Sequence, residues 1–249
     1  MSNLSNNYIA GDWVKGASSI SNINPSNTND VIGEFAQASN SQLEDALNSA
    51  QVAQRQWAAT GLEQRQAVLM KIGEEMMARS AELGELLSRE EGKPVAEGKG
   101  EVYRAGQFFT YYAAEVLRQG GDTADSVRPN IEIDVRREPM GTVAIISPWN
   151  FPTATASWKI APALAFGNAV IWKPANLTPA SAVALTEIIS KQDIPKGLFN
   201  LVMGSGSSIG QSLAESPKVH AISFTGSYDV GRQIAGAAAK NLTKFQLEL

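Results

Sequence analysis

The stretch "SPWNFP" at residues 147–152 follows the apolar run "GTVAII" and sets one amide, Asn150, between two large aromatics, Trp149 and Phe151. Burying an amide without hydrogen bonds is costly. Asn150 therefore either caps a turn or donates to something that is not part of the protein. Lys173 raises a similar question at the end of "NAVIWKP". A lysine there can hydrogen-bond a ribose hydroxyl, attract a phosphate, or simply reach solvent. Two glycine turns also follow strand-like runs. "MGSGSSIG" reads G-x-G-x-x-x-G from Gly204, a spacing shared by dinucleotide turns and by plain strand-to-helix turns. "FTGSYDVG" reads G-x-x-x-x-G from Gly226 to Gly231, and Gly226 and Ser227 would open a helix whose free N–H groups can meet a phosphate. There is no cysteine, which removes disulfides, thiolate metal sites and a cysteine nucleophile from these residues. The single histidine, His220, reads as a strand-end residue rather than a catalytic base.

The elements that must position these groups change character along the chain. Residues 1–38 are turn-rich with short strands. Four helices follow. "SQLEDALNSAQVAQRQWAA" has a capping-box pattern at Ser41 and Glu44 and a stripe of Leu43, Leu47, Ala50, Ala53 and Trp57. "TGLEQRQAVLMKIGEEMMARS" repeats the signal with Thr60 and Glu63 and a stripe of Val68, Leu69, Ile72 and Met76. The third helix stops at Gly92 and Pro94, the fourth at Gly120 and Gly121. The charges on these helices read as a solvated face. "NIEIDVRRE" alternates like a half-exposed strand. From residue 141 the strands "GTVAIIS", "NAVIWKP", "LFNLVMG", "HAISFTG" and "KFQLEL" alternate with helical segments, including "SSIGQSLAES". That order predicts an α/β protein with an open, mainly parallel, Rossmann-like nucleotide-binding sheet and right-handed crossovers. Such a sheet binds ligands beyond the carboxyl ends of its strands, where "SPWN", "KPAN", "GSGSS" and "FTGS" all fall.

Bulk properties exclude several classes. The chain has 249 residues, 43% of them hydrophobic, which supports a real core. Its net charge of −4 is spread without a basic block, so nucleic acid is not an expected partner. No apolar run approaches about 18 residues, and the start lacks a signal-peptide pattern, so no membrane association and a cytoplasmic location are expected.

Taken in order, "PWNFP", "WKIAPALAFGNAVIWKPA", "FNLVMGSG", "ISFTGS" and "QLEL" resemble the aldehyde dehydrogenase superfamily over essentially the whole chain. The resemblance implies NAD or NADP as cofactor and a two-stage oxidation. A cysteine thiolate adds to the aldehyde, hydride leaves to the nicotinamide, and water hydrolyses the thioester. It implies that Asn150 stabilises the oxyanion and that Glu248 activates the thiol or the water. Lys173 would hold the adenosine ribose, Gly226 and Ser227 the pyrophosphate, and the turn at Gly206 would lie nearer the adenine. Ser147, Pro148, Trp149, Ala175, Asn176, Phe224, Val230 and Leu249 complete the implied cofactor-binding set. Phe151, Trp158 and Arg104 form the implied substrate set. No metal is implied. Residues 1–120 would pack on the cofactor domain, 121–140 would form a projecting oligomerisation hairpin giving a homo-oligomer, and 141–249 would form the nucleotide-binding sheet.

Three departures sharpen the expectation. The family's cysteine lies some thirty residues past the glutamate, beyond Leu249, so the sequence is expected to be the amino-terminal part of a longer enzyme, inactive alone. Asn176 stands where NAD-preferring members often carry glutamate, which makes NADP admissible. Arg104 either clamps a carboxylated aldehyde or lies on a solvated helix face. The texture "RREPMG…SPWNFPTATASWKIAPALAFGN…KPANLTP" is similar to the branch acting on α-ketoglutarate semialdehyde (2,5-dioxovalerate). Succinate-semialdehyde or broad-range dehydrogenases and a non-catalytic nucleotide-binding module are the alternatives.

Overall fold

The computed structural model describes residues 4–118 and 120–249. Residues 1–3, in the opening segment, and Gln119, in the segment read as the end of the fourth helix, lie outside the described residues. The chain opens with β1 (Leu4–Ser5), β2 (Asn7–Ile9), β3 (Asp12–Val14), β4 (Ser18–Ile23) and β5 (Val31–Gln37). The helices α1 (Asn40–Ala58), α2 (Leu62–Ala78), α3 (Ser80–Glu91) and α4 (Val95–Glu115) follow, then β6 (Asp122–Asp125) and β7 (Glu132–Val135). The remainder alternates: β8 (Thr142–Ile146), α5 (Pro152–Ala165), β9 (Ala169–Lys173), α6 (Pro179–Ser190), β10 (Phe199–Leu201), α7 (Gln211–Glu215), β11 (Ala221–Thr225), α8 (Tyr228–Asn241) and β12 (Lys244–Glu248).

The main sheet has seven strands in the order β12-β11-β8-β9-β10-β2-β3. Its five carboxy-terminal strands are parallel, as the βαβ alternation predicts, and β2 and β3 extend it antiparallel from β10. The amino-terminal hairpin, expected to pack on this sheet, thus joins it by strand pairing. Strands β1, β5 and β4 form a separate small sheet. Helices α5 and α6 pack on the sheet, and α4 runs against α2, α3 and α5. Gly73 lets α4 come close to α2, since a Cβ there would sit 2.7 Å from the carbonyl oxygen of Gly106. No described helix is long and apolar enough to cross a membrane.

Both helical stripes face the core as their spacing predicts: Leu43, Leu47, Ala50, Ala53 and Trp57 are buried, as are Val68, Leu69, Ile72 and Met76. The caps differ. Helix α1 begins two residues earlier than its pattern suggested, with Ser39 and Gln42 forming the capping box. "SNSQ" satisfies the same rule as "SQLE", and Gln42 also donates to the carbonyl of Lys15 at 2.7 Å, which selects the earlier start. Thr60 caps nothing in α2, whose N-cap is Gly61. Its hydroxyl instead donates to the Trp57 carbonyl at 2.7 Å, closing α1. "SSIGQSLAES" starts with a π-type turn over 206–210, and only 211–215 are α-helical. The strand read as half-exposed, β7, is exposed at all four positions, because it pairs only with β6 and neither face is covered among the described residues. The charges of the early helices are not all solvated: Arg65, Glu90 and Glu101 are buried, each holding main-chain groups of another element. His220 sits just before β11, its Nδ1 accepting the Thr142 N–H at 3.0 Å, a strand-end role.

Candidate functional site

The parallel strands place the chemistry-bearing residues along one rim. In register across the sheet, Leu247 pairs with Phe224, Phe224 with Ile146, and Ile146 with Lys173. Thr225 pairs with Glu248 one step further on. Three strand spacings separate Lys173 from the Glu248 end, roughly 14 Å. The strand order reverses between β8 and β11, so the "SPWN" loop and the Gly226–Ser227 turn flank the switch-point crevice.

Lys173 is buried, and among the described residues its one hydrogen-bond partner is the Pro174 carbonyl at 2.8 Å. Burial pulls its ammonium down to about 8, because water is removed and no carboxylate replaces it. A Cβ on Gly210 would lie 3.6 Å from Lys173 Cδ, so the lysine stem runs along the glycine turn that contains Gly206. Ser205 holds that turn by accepting the Ser208 N–H at 3.1 Å. Ala175 and Asn176 are half-buried beside it, and Gly206 is exposed.

Helix N-termini at the rim are not equivalent. Glu101 accepts the N–H groups of Thr153 and Ala154 at 3.0 and 3.1 Å, stoppering α5 with a protein carboxylate. Glu90 does the same for α6, accepting from the N–H groups of Ala180 and Ser181 at 2.6 and 2.9 Å. Burial pushes the Glu90 carboxyl up to about 7, against the pull of these hydrogen bonds. Helix α8 differs: Ser227 is its N-cap and makes no side-chain cap bond. An anion arriving at the rim finds two helix ends already occupied by carboxyl groups and a third open. The Gly226 N–H donates to the Glu248 carbonyl at 3.1 Å, tying that open turn to the end of β12.

Asn150 is exposed, and no hydrogen bond to its side-chain amide occurs among the described residues; its main-chain oxygen accepts from Lys93 Nζ at 2.9 Å. Trp149 and Phe151 beside it are exposed and Pro148 half-buried, while Ser147 is buried with its hydroxyl accepting from Trp172 Nε1 at 2.9 Å. Glu248 is exposed, and its Oε2 accepts from Thr225 Oγ1 at 2.8 Å. Phe224 is buried, Gly226 half-buried, and Ser227, Val230 and Leu249 are exposed.

Arg104 is exposed on α4, bonded to Gln107 and stacked over the Phe108 ring at 5.0 Å. Phe108 meets half-buried Trp158 edge-on at 5.7 Å, so Arg104 and Trp158 are linked through one aromatic ring. A cleft of about 410 Å³ beside Trp158 is lined also by Lys159, Ser223 and Gln246.

Four functional neighbours were not singled out from sequence. Lys159 is buried on α5, donates to Ser223 Oγ at 3.0 Å, and lies 3.7 Å from Glu248 Oε2. Burial lowers its ammonium and Glu248 counters that shift. A charge in the apolar run "TASWKIAPALA" was the available signal. Lys93, Glu90 and Glu101 lay hidden in the charge-rich "REEGKPVAEGKGE", where nothing local distinguishes a buried charge from a solvated one.

Among the described residues, one rim carries a buried lysine with donors to spare, an uncapped helix start and an amide without a hydrogen-bond partner, groups that suit a dinucleotide. The sequence is 37% identical to 2,5-dioxopentanoate dehydrogenase of Saccharolobus solfataricus, over 97% of this chain and 51% of that protein. It is 38% identical to alpha-ketoglutaric semialdehyde dehydrogenase of Bacillus subtilis, over 98% of this chain and 50% of that protein. The chain spans about half the length of the curated relatives it matches. Among solved structures, betaine aldehyde dehydrogenase of Staphylococcus aureus in complex with NAD+ superposes with a TM-score of 0.95 at 33% identity, over 98% of this chain and 49% of that one. With the sequence pattern of the aldehyde dehydrogenase family matched over residues 13–249, the chain belongs to that family.

Proposed function

We propose that this chain is the cofactor-binding portion of an NAD(P)-dependent aldehyde dehydrogenase that oxidises an aldehyde to a carboxylic acid. The observation that carries the reading is the rim itself, with Lys173, the Asn150 loop, the Gly226–Ser227 turn and Glu248 set along one sheet edge in register. A bound dinucleotide would supply the hydride acceptor. Lys173 would offer donors to its adenosine end, and the open N-terminus of α8 would hold its pyrophosphate. Asn150 directs its amide at the oxygen of the tetrahedral adduct, where one such donor contributes about 3–4 kcal/mol to the transition state. Glu248, near a buried ammonium, takes the proton from the thiol or from the hydrolytic water. The thiol itself would come from outside these 249 residues, which contain no cysteine. Asn176 presents no carboxylate to a 2′-phosphate, so either dinucleotide is admitted.

The proposed substrate is a carboxylated semialdehyde such as 2,5-dioxovalerate. Two relatives named for that substrate support it, as does Arg104, which has guanidinium donors beyond its bond to Gln107 and is coupled to Trp158 through Phe108. The exposed hairpin of β6 and β7 is the proposed contact between copies. Titration of NAD and NADP into the chain and into Lys173→Ala tests the cofactor site. Equal affinity of the two proteins would refute the role given to Lys173. Turnover of 2,5-dioxovalerate by the intact enzyme, compared with an uncharged aldehyde of similar length, tests the substrate class.

A further inference from the structure

We infer that Lys93 is a positioning residue for Asn150, acting through the main chain of the "SPWNFP" loop. The inference rests on the reading of Asn150 as the oxyanion donor. Lys93 follows Gly92, whose φ of 91° ends α3 in the left-handed region and turns the chain toward the rim. Its Nζ has three oxygen neighbours: Glu101 Oε2 at 2.7 Å, Asn150 O at 2.9 Å and Glu91 Oε2 at 2.9 Å. The side chain is 9% exposed and also lies over the Phe151 ring, 4.2 Å from its centroid.

One ion pair therefore holds the loop from both ends. Lys93 grips the carbonyl of Asn150, while Glu101, its partner, grips the N–H groups of Thr153 and Ala154. Asn150 cannot anchor its own loop, because an internal hydrogen bond would consume the amide needed by the substrate. The anchor must come from another element, and Lys93 supplies it. The lysine also pairs with Glu101, which would otherwise stand as a buried negative charge without a cation beside this loop. A donor of this kind must be held to within about 0.5 Å, and a shift near 1 Å can cost about 100-fold in rate.

The test is a mutant cycle in the intact enzyme, with an aldehyde and dinucleotide that the parent turns over. If the parent oxidises no aldehyde, or Asn150→Ala costs nothing, the underlying reading of the site fails. If both hold, Lys93→Met is expected to lower kcat about 10- to 100-fold, with aldehyde KM and dinucleotide Kd changed less than about 2-fold. Lys93→Arg should recover part of the loss. In the Asn150→Ala background, Lys93→Met should cost less than about 2-fold, since the group it positions is gone. An unchanged kcat, or an equal loss in both backgrounds, overturns the inference. Lys93→Met leaves buried Glu101, and Glu91 beside it, without a counter-charge. Combining Lys93→Met with Glu91→Gln and Glu101→Gln removes that strain on folding while still freeing the Asn150 carbonyl, and the same pattern is expected. Full activity in this folded triple variant would equally overturn the inference.

Discussion

Lys159 Nζ lies 3.7 Å from Glu248 Oε2, joining an α5 side chain that is 4% exposed to a carboxylate at the edge of the sheet that is 48% exposed. Between them runs a polar ladder on one face of β11 and β12, with Ser223 Oγ 2.7 Å from Gln246 Oε1 and Thr225 Oγ1 2.8 Å from Glu248 Oε2. Parallel register makes this possible, because Ser223 pairs with Gln246 and Thr225 with Glu248, and residues two apart share a face. The buried cation is thus directed at the proposed general base.

Lys159→Met separates stability from activity. A buried lysine costs desolvation that its partners only partly return. Its removal leaves the Ser223–Gln246 bond intact. The unfolding free energy should change by about 1 kcal/mol or less, read from urea melts. The intact enzyme should lose about 10-fold or more in turnover, in the range of a general-base contribution. A large stability loss with full activity would contradict the assignment.

Lys173 makes stability rise with pH. Its folded-state ammonium is brought from 10.5 down to about 8 by burial. Between those values the unfolded chain holds more protons than the folded one, so raising the pH favours folding. The gain should be on the order of 3 kcal/mol across that window. It should vanish in Lys173→Met, measured as the difference between the two proteins' melts at pH 8 and pH 10.5.

Glu90 has the opposite sign. Its carboxyl is raised from 4.5 to about 7 by burial. The folded state therefore keeps a proton that the unfolded state has lost, and stability falls as pH climbs through that window. The decline should be on the order of 3 kcal/mol, and Glu90→Gln should flatten it. Chemical denaturation at pH 5 and pH 7.5 would show a smaller difference in the variant than in the parent.

The hairpin of β6 and β7 should govern association. Ile133 and Val135 are 45% and 49% exposed, and among the described residues their strand pairs only with β6. Replacing both with lysine removes no core contact, so the melting point should stay within a few degrees. Sedimentation should shift the intact enzyme toward smaller species. Unchanged sedimentation would place the contact between copies elsewhere.

Sequence alone carried the repeating features: the two helical stripes, the βαβ alternation and the parallel sheet it demands, and the rim segments at the strand ends. These are legible because helix and strand periods and glycine turns are local, and each is written within a dozen or so residues. The α1 cap slipped by two residues because neighbouring serines satisfy the same pattern, and contact with Lys15 chose between them. Only tertiary structure decided which charges are buried and what they hold. Glu90 meets Ser181, Glu101 meets Thr153, Lys93 meets Asn150 and Lys159 meets Glu248, each across fifty or more residues. Joining β2 to β10 likewise brings Tyr8 against Leu201, far apart along the chain. No local pattern marks such partners, since a charged side chain on an amphipathic helix looks the same whether it faces water or the end of another helix. The packing of the elements settles the difference: desolvation makes an unmatched charge costly, and only a complementary group brought in by the fold offsets it.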